Sequence, residues 1–232
     1  NMGELNIKTM KHDKLLLEKS HGNNPAIDKN LYADREMQLE DMKIINRRFM
    51  GAGMSQSYAS IYWQEHYYEG NKFEYVAELG SQKGCLSTYF ANMAAITEAF
   101  FFDTFEINPK QDWYNRSNEG AGHWFDKLSE ISPFINSFHQ NVFDTSSINC
   151  IKENIDKFKT FIFCDGGNKA LEFSTFAPLL KKGDCIAVHD WGHEIGSRDT
   201  DPVCEEYGLE VHEPYAASSL GLQTQIMPFI KK

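Results

Sequence analysis

The sequence predicts an α/β protein with a doubly wound, mostly parallel seven-stranded sheet, and three observations support this prediction. Short apolar runs alternate with helical patterns from about residue 73 onward, which is typical of βαβ units with helices on both faces of a parallel sheet. Polar residues or glycine end several of these runs, as happens where buried strands stop at loops. Two final strand-like runs joined by a polar loop indicate an antiparallel pair at the far end of the sheet.

The N-terminal part of the chain has a different character. Residues 1–30 are polar, and residues 31–49 carry apolar side chains at helical spacing. The segment that follows, up to residue 70, is rich in aromatic and small residues and has no clear period. We therefore predict an N-terminal arm and a helical extension or substrate lid over residues 1–70, and a ligand-binding domain over residues 71–232.

The elements of the second domain are assigned in chain order. The first strand is predicted in FEYVAELG, and the next helix in CLSTYFANMAAI, where Leu86, Tyr89, Phe90 and Met93 share one face. Strands two and three are predicted in EAFFFDTFEI and ISPFINSFHQNVFD, with a helix in SINCIKENIDKF. The fourth strand is TFIFCDGG, and the helix after it, LEFSTFAPLLKKG, is expected to end at Gly183. CIAVHDWG is the fifth strand, and the last two lie in LEVHEPYAASSLGLQTQIMPFIKK.

The composition argues against several classes of protein. The formal net charge is −10, which is the opposite of the basic surface expected in a general nucleic-acid binder. No apolar run approaches the roughly 20 residues that span a bilayer, and the polar N-terminal stretch has no secretory signal pattern. The five cysteines are scattered and form no CxxC, which argues against a zinc site or a disulfide framework. These features predict a cytoplasmic protein that binds neither nucleic acid nor membrane, with a homo-oligomer left open.

The loop after the first strand, ELGSQKG, is the leading candidate for a ligand site, because ligands of doubly wound sheets bind at the carboxyl ends of the strands. Gly80 can adopt a positive φ and let a ligand approach the backbone, and Gly84 lets the following helix pack closely. The loop matches neither the GxGxxG dinucleotide pattern nor the GxxxxGK[ST] phosphate loop. Glu78, two positions before the first glycine, argues against a pyrophosphate and for a cationic or hydroxylated ligand.

A second acidic residue fits the same ligand. Asp103 is predicted at the end of the second strand, about 20 residues after the loop, where a carboxylate can accept hydrogen bonds from ribose hydroxyls. Together with the loop, this favours an adenosine-containing ligand without a pyrophosphate, and S-adenosylmethionine is the obvious candidate. The alternative is that ELGSQKG is an ordinary tight turn between a strand and a helix.

At this point the chain resembles a known family. ELGSQKG followed by FFFDTFE is similar to the class I S-adenosylmethionine-dependent methyltransferases, and more narrowly to the macrocin/rhamnosyl O-methyltransferase and cephalosporin-hydroxylase-like group. The matching segments are Glu78–Gly84, Phe102–Glu106, Asp165–Gly166 and Leu179–Asp190. The resemblance covers roughly residues 74–195 and implies a Rossmann-like seven-stranded sheet with a reversed last strand.

The resemblance also implies cofactor-binding residues. Residues Glu78 to Gly84, with Gly80 and Ser81 among them, would surround the methionine part of the cofactor. Asp103 would lie at its ribose, and Phe105, two residues further on, is also expected to bind the cofactor. The remaining implied contacts are Asp144, which falls near the expected adenine position, and Asp165 after the fourth strand.

A metal site is implied by the same resemblance. Many family members bind a divalent cation, such as Mg²⁺, through one carboxylate after strand four and an acidic pair after strand five. The corresponding residues here are Asp165, His189 and Asp190. His189 departs from the usual Asp, and imidazole suits Mn²⁺, Fe²⁺, Ni²⁺ or Zn²⁺ better than Mg²⁺, so the departure also fits a site that has lost its ion.

The expected chemistry is methyl transfer to a hydroxyl of a small molecule or sugar. Asp190, His189 and Lys169 are the candidate catalytic residues; Lys169 lies one position away from where catechol-type enzymes keep a lysine. Without a metal, His189 or His193 could act as the general base. Plainer explanations are that Asp165 caps the next helix and that His189 is a hydrogen-bonded residue at the end of a strand. Rival functions are a catalytically inactive binding module of the same fold and, less favoured, a nicotinamide-dependent oxidoreductase.

Overall fold

The computed structural model describes residues 72–81, 85–107, 132–213 and 225–232, with residues 59, 62, 128, 129, 215, 216 and 219. The predictions for Gly84 and for most of residues 1–70 lie outside this described part. Within it the elements are β1 (Tyr75–Leu79), α1 (Cys85–Thr97), β2 (Phe101–Phe105), β3 (Ile135–Phe138), α2 (Thr145–Lys157), β4 (Thr160–Cys164), α3 (Lys169–Phe176), a 3₁₀ turn (Ala177–Leu179), β5 (Cys185–Val188), α4 (Ser197–Tyr207), β6 (Leu209–Val211) and β7 (Met227–Lys231).

The seven strands form one sheet in the order β3-β2-β1-β4-β5-β7-β6. β1 to β5 pair in parallel, whereas β7 is antiparallel to both β5 and β6. This confirms the predicted fold, with its mostly parallel sheet and its antiparallel pair at one end. The sheet is Rossmann-like, with β7 reversed between β5 and β6.

Hydrophobic packing on both faces explains why β1, β4 and β5 are mostly apolar, with Glu78 in β1 and Thr160 in β4 as the exceptions. Every residue of these three strands is buried, as expected for parallel strands covered on both sides. Val76 and Phe161 pack with Phe90 of α1 on one face. Ile162 packs with Phe173 of α3 on the other. Burying each of these large side chains contributes about 1.5–3 kcal/mol, so the two apolar layers hold the sheet together.

The topology creates a cleft at the carboxyl ends of the central strands. The chain runs outward from β1 to β3 and then returns to the other side of β1 as β4, and ligands of open α/β sheets bind where the order reverses. Backbone hydrogen bonds extend the sheet by one residue at this edge. They join Gly80 N to Phe105 O (2.9 Å), Asp165 N to Leu79 O (2.8 Å) and His189 N to Cys164 O (3.0 Å). The residues after β1, β4 and β5 are thereby held side by side.

Two predicted element ends are wrong. α3 ends at Phe176 and continues as a 3₁₀ turn, rather than running to Gly183. Pro178 explains this, because proline cannot donate the backbone hydrogen bond that a longer helix needs. β2 continues to Phe105, so Asp103 lies in the middle of the strand instead of at its end.

The predicted N-terminal extension packs on the sheet through two described residues, Ala59 and Tyr62, which belong to the same buried cluster as Val76 and Phe161. Tyr62 is helical and buried. Its ring lies 5.2 Å from that of Phe161 and 5.0 Å from that of Tyr215, and its hydroxyl lies 2.6 Å from His212 Nδ1. Within the described residues, none of the helices combines the length and apolar character needed to cross a membrane.

Candidate active site

A cavity of about 660 Å³ opens at the carboxyl edge of the sheet. Its walls come from the segments that follow β1, β2, β3, β4 and β5, the positions at which the sequence predicted a ligand. The lining residues are Gly80, Phe105, Glu106, Ile107, Gln140, Asn141, Val142, Phe143, Asp165, Gly166, Gly167, Asn168, Lys169, Glu172, His189, Asp190 and Glu194.

Gly80 is required by the close approach of two backbones. Its φ is +89°, and a Cβ at this position would lie 2.4 Å from Gly166 Cα and 2.6 Å from Asp165 O. Both features exclude a side chain. The next residue, Ser81, is buried, and its hydroxyl has no hydrogen-bond partner within the described part of the chain. A buried hydroxyl without a partner is unfavourable, so Ser81 is a candidate to contact a ligand.

Glu78, predicted to contact the cofactor, is not among the lining residues. Its side chain is buried and accepts hydrogen bonds from the hydroxyls of Ser87 on α1 and Thr104 on β2, the latter at 2.9 Å. Burial raises the pKa of Glu78 to about 8, although the two hydroxyl groups lower it in part. A carboxyl group with this pKa is mostly protonated at pH 7, so it is a weak source of negative charge there.

Asp103 also does not line the cavity. Its buried carboxylate accepts hydrogen bonds from Tyr75 Oη (2.9 Å), Asn136 Nδ2 (2.8 Å) and Asn154 Nδ2 (3.2 Å). Burial raises the pKa of Asp103, and these donors oppose the rise. The carboxylate that lines the cavity from this strand is Glu106, the residue directly after β2.

The remaining predicted cofactor residues divide into two groups. Phe105 lines the cavity and stacks on Phe138, with ring centroids 4.7 Å apart. Asp144 is exposed at the N-cap of α2 and is not among the lining residues. The cavity wall in this region is instead the segment just before it, residues 140–143.

The three predicted metal ligands do come together. Asp165 follows β4, and His189 and Asp190 follow β5. Each offers one ligand atom, and these atoms lie within 4.8 Å of one another. His189 Nδ1 lies 2.9 Å from Asp165 Oδ1 and 3.3 Å from Asp190 Oδ1. Asp165 is not the cap of the next helix, because Asn168 Oδ1 accepts the Leu171 N–H there (3.1 Å).

Lys169 joins this cluster from the first turn of α3. Its buried ammonium lies 2.9 Å from Asp190 Oδ2, 2.7 Å from Glu194 Oε2 and 3.9 Å from Asp165 Oδ1. It also donates a hydrogen bond to Gly166 O at 3.0 Å. Burial alone would lower the pKa of Lys169, but the hydrogen bonds that its ammonium donates to Glu194 and Asp190 raise the pKa overall. Lys169 is therefore charged and partly neutralises the carboxylates around it.

The imidazole of His189 is subject to the same competition. Burial lowers its pKa, but the hydrogen bond to Asp165, the charge of that carboxylate and the charge of Asp190 together raise it. His193, the other candidate general base, is exposed and does not line the cavity. Of the two histidines, His189 is therefore the one that reaches the site.

The backbone at Asp190 is unusual. Its φ is +58°, in the left-handed region that Asp tolerates better than most residues. The turn is closed by hydrogen bonds from His193 N and Glu194 N to Asp190 O, both at 3.0 Å. Strained backbone of this kind clusters at functional sites, and here it directs two acidic side chains toward Lys169.

Sequence reasoning missed Glu172, which lies in the first turn of α3. Glu172 is buried, lines the cavity and accepts a hydrogen bond from Gly166 N at 3.2 Å. Burial raises the pKa of Glu172 to about 7, while hydrogen bonds from the Gly166 and Asn168 backbones lower it. Its position in an ordinary helical pattern gave no signal. Glu106 was within the motif quoted above but was not singled out.

The donor set at Asp165, His189 and Asp190 is compatible with a divalent cation. Two carboxylates and an imidazole suit Mn²⁺, Fe²⁺ or Zn²⁺, and three close ligand atoms at a cavity wall leave room for a substrate oxygen. The Lys169 ammonium competes for the same carboxylates. The geometry therefore fits both a metal-binding and a metal-free site.

Comparisons with known proteins give only distant similarity. No family model and no curated protein sequence matches this chain. Solved structures that are similar include cmcI with Mg-SAM (14% identity, TM-score 0.43, 68% of this chain and 65% of that one). Another is an O-methyltransferase family protein from Burkholderia thailandensis (10%, TM-score 0.44, 85% and 58%). A third is the MycE methyltransferase of the mycinamycin biosynthetic pathway with Mg and SAH (12%, TM-score 0.45, 84% and 48%). The chain thus spans about half to two thirds of the length of these proteins, and the identities are too low to transfer an activity.

Proposed function

We propose that this chain is an S-adenosylmethionine-dependent methyltransferase that methylates a hydroxyl oxygen of a small molecule or sugar. The observation that carries the proposal is the convergence of Asp165, Lys169, His189 and Asp190 in the same cavity as Gly80 and Glu106. A cofactor site and an acid–base cluster thus share one space at the point where the strand order reverses.

The cavity offers a contact for each part of the cofactor. Gly80 leaves the backbone open next to the buried hydroxyl of Ser81, which has no partner among the described residues, and this suits the methionine end. The carboxylate of Glu106 suits the ribose hydroxyls and replaces Asp103 in that role. Residues 140–143 suit the adenine. When bound, S-adenosylmethionine supplies an electrophilic methyl group on its sulfonium, and the protein's own task is to orient the acceptor and remove its proton.

Proton removal is assigned to the cluster. His189 holds its Nδ1 against Asp165 at 2.9 Å, which orients the ring so that Nε2 can take the proton of the acceptor hydroxyl. The Lys169 ammonium lies 2.9 Å from Asp190 Oδ2, and this ion pair fixes the orientation of the Asp190 carboxylate. In the metal-assisted form, Asp165, His189 and Asp190 would hold the ion, which lowers the pKa of a bound hydroxyl.

Calorimetric titration tests the cofactor. We expect S-adenosylmethionine to bind and NAD not to bind. Glu106→Gln should weaken S-adenosylmethionine binding about tenfold, equivalent to ~1.4 kcal/mol. Asp103→Asn should leave the affinity within threefold and lower thermal stability. Absence of heat with S-adenosylmethionine would refute the proposal, and a larger loss in Asp103→Asn than in Glu106→Gln would restore the ribose role to Asp103.

Metal analysis of the purified protein, with and without added Mn²⁺, tests the metal-assisted form. Asp190→Ala should then lose the ion, whereas Asp156→Ala, an exposed carboxylate on α2, should keep it. Full metal content and full activity in Asp190→Ala would mean that the site is elsewhere. Cofactor binding without transfer to any acceptor in a panel of catechols and sugars would favour the inactive binding module.

A cytoplasmic location is proposed on the cysteines. The sequence has five cysteines. The structure describes the side chains of four of them, Cys150, Cys164, Cys185 and Cys204, and none of these four forms a disulfide. Free thiols of this kind are the usual state in a reducing compartment.

A further inference from the structure

The buried carboxylate of Glu172 has no role in the mechanism above, yet it forms part of the cavity wall. It is 2% exposed. One oxygen accepts the Gly166 N–H at 3.2 Å, and the Asn168 backbone lies close enough to lower the pKa of the carboxyl group. Gly166 and Asn168 belong to the segment between Asp165 and Lys169. Glu172 therefore contacts, from the first turn of α3, the backbone that connects two residues of the cluster.

Gly166 lies in close contact with Glu172 on one side and with Gly80 on the other. A Cβ on Gly166 would lie 2.1 Å from Glu172 Oε1 and 2.9 Å from its Cδ, so the carboxylate would have to shift to admit a side chain there. A Cβ on Gly80 would in turn lie 2.4 Å from Gly166 Cα. The loop after β4 is thus packed between Glu172 on one side and the turn after β1 on the other.

Helix stabilisation alone does not account for this carboxylate. An acidic residue in the first turn favours a helix by about 0.3–1 kcal/mol through the helix dipole, and an exposed side chain does this as well. The N-cap function is already filled by Asn168, whose side chain accepts the Leu171 N–H. Burying a carboxylate is unfavourable unless its hydrogen bonds compensate, so the contacts to the loop are the feature that needs explanation.

We propose that Glu172 is a positioning residue, whose carboxylate fixes the loop of residues 165–168 so that Asp165 and Lys169 meet His189 and Asp190 beside the cofactor. The effect of Glu172 on the cofactor site rests on the proposed methyltransferase function. The contact itself rests only on the packing of Gly80, Gly166 and Glu172.

A double-mutant cycle between Gly166 and Glu172 tests the contact without any substrate. Gly166→Ala should raise the unfolding constant at least tenfold in the wild-type background, because the added methyl group meets the carboxylate. In the Glu172→Ala background the same change should raise it less than threefold, since the obstructing atoms are gone. Gly167→Ala is the matched control: a Cβ there has no atom within 4 Å, and the unfolding constant should stay within threefold in both backgrounds. Additive effects of Gly166→Ala and Glu172→Ala would overturn the proposal.

Calorimetry with S-adenosylmethionine tests the positioning role. Glu172→Ala should weaken binding about tenfold, and Glu172→Gln, which keeps an acceptor oxygen, should recover to within about threefold of wild type. The amide proton signal of Gly166 should move in Glu172→Ala and less in Glu172→Gln. A loss of stability in Glu172→Ala with unchanged cofactor affinity would leave Glu172 a purely structural residue and overturn the positioning role. If wild-type protein binds no S-adenosylmethionine, the proposed function fails, and the cycle alone decides whether Glu172 holds the loop.

Discussion

Replacing Glu78 by Gln should make the protein less sensitive to alkaline pH. Burial raises the pKa of Glu78 from 4.5 to about 8. Between these two values the folded protein keeps a proton that the unfolded chain has released. Stability therefore falls as the pH rises through this range, because the unfolded state binds fewer protons than the native state. The contribution is fully present below about pH 4.5 and is lost above about pH 8.

The magnitude follows from the same values. Each pH unit between the two pKa values corresponds to ~1.4 kcal/mol, so Glu78 accounts for ~4 kcal/mol between about pH 5 and pH 8. Glu78 is completely buried, so solvent screening removes little of this. A Gln at position 78 can still accept the hydrogen bonds from Ser87 and Thr104 through its amide oxygen. We therefore expect Glu78→Gln to lie within ~1 kcal/mol of wild type at about pH 5, and to be ~2–4 kcal/mol more stable at about pH 8.

Urea unfolding at several pH values between about 5 and 8 measures this difference directly. Glu172, with a pKa of about 7, produces a pH dependence of the same sign, but it is present in both proteins and cancels in the comparison. Glu153→Gln, on the exposed side of α2, is the control and should follow the wild-type profile. If the profiles of wild type and Glu78→Gln run parallel, Glu78 is ionised in the folded protein and the reasoning is refuted.

Three further changes probe other parts of the molecule. Lys169→Met should lower stability by ~2–3 kcal/mol in urea unfolding, because it removes the ammonium that partly neutralises the carboxylates around it. Lys152→Met, in an exposed pair, should cost less than ~1 kcal/mol. Equal effects of the two changes would contradict this. Gly80→Ala should lower stability by at least ~3 kcal/mol and abolish S-adenosylmethionine binding, since the φ of Gly80 and the opposing backbone both exclude a Cβ. A stable variant with normal affinity would show that the close contact between Gly80 and Gly166 is not required. Tyr62→Phe should cost ~1 kcal/mol by removing the hydrogen bond to His212, and no change in the thermal midpoint would mean that this contact contributes nothing.

The fold could be predicted from the sequence because it depends on local patterns. Strands buried on both faces are apolar along most of their length, and FIFC and CIAV are short, bounded runs of this kind. Helix ends are less predictable. Pro178, which lies before Gly183 in the sequence, indicates an earlier end of α3 than Gly183 does.

Asp103 shows where pattern reasoning fails. A charged residue within FFFDTFE looks like the end of a strand, yet the strand continues for two residues. Asp103 is accommodated inside the sheet because Tyr75, Asn136 and Asn154 donate to it. These donors come from three separate elements, so no local spacing in the sequence brings them together. Only the topology of the fold makes an internal carboxylate possible here.

Lys169 and Glu172 illustrate the opposite case, in which local structure decides the site. Because Asn168 is the N-cap of α3, Lys169 begins the first turn and its ammonium reaches Asp190. The one-residue difference from the catechol-type register therefore does not remove a lysine from the cluster. Glu172 follows on the same helix, and its burial depends on the absence of a side chain at Gly166, which the sequence shows but does not explain.

The negative charge that favours a cationic ligand comes from residues other than the one that the sequence predicted. The sequence attributed negative charge to Glu78, but that group is buried away from the cavity and its pKa of about 8 leaves it mostly neutral at pH 7. The negative character of the described cavity wall comes instead from Glu106, Asp165, Asp190 and Glu194, against the single ammonium of Lys169. In a partly desolvated cleft, such an excess of carboxylates repels a pyrophosphate and attracts a sulfonium and an ammonium group. The proposed preference for S-adenosylmethionine over NAD thus rests on residues after β2, β4 and β5 rather than on the loop after β1.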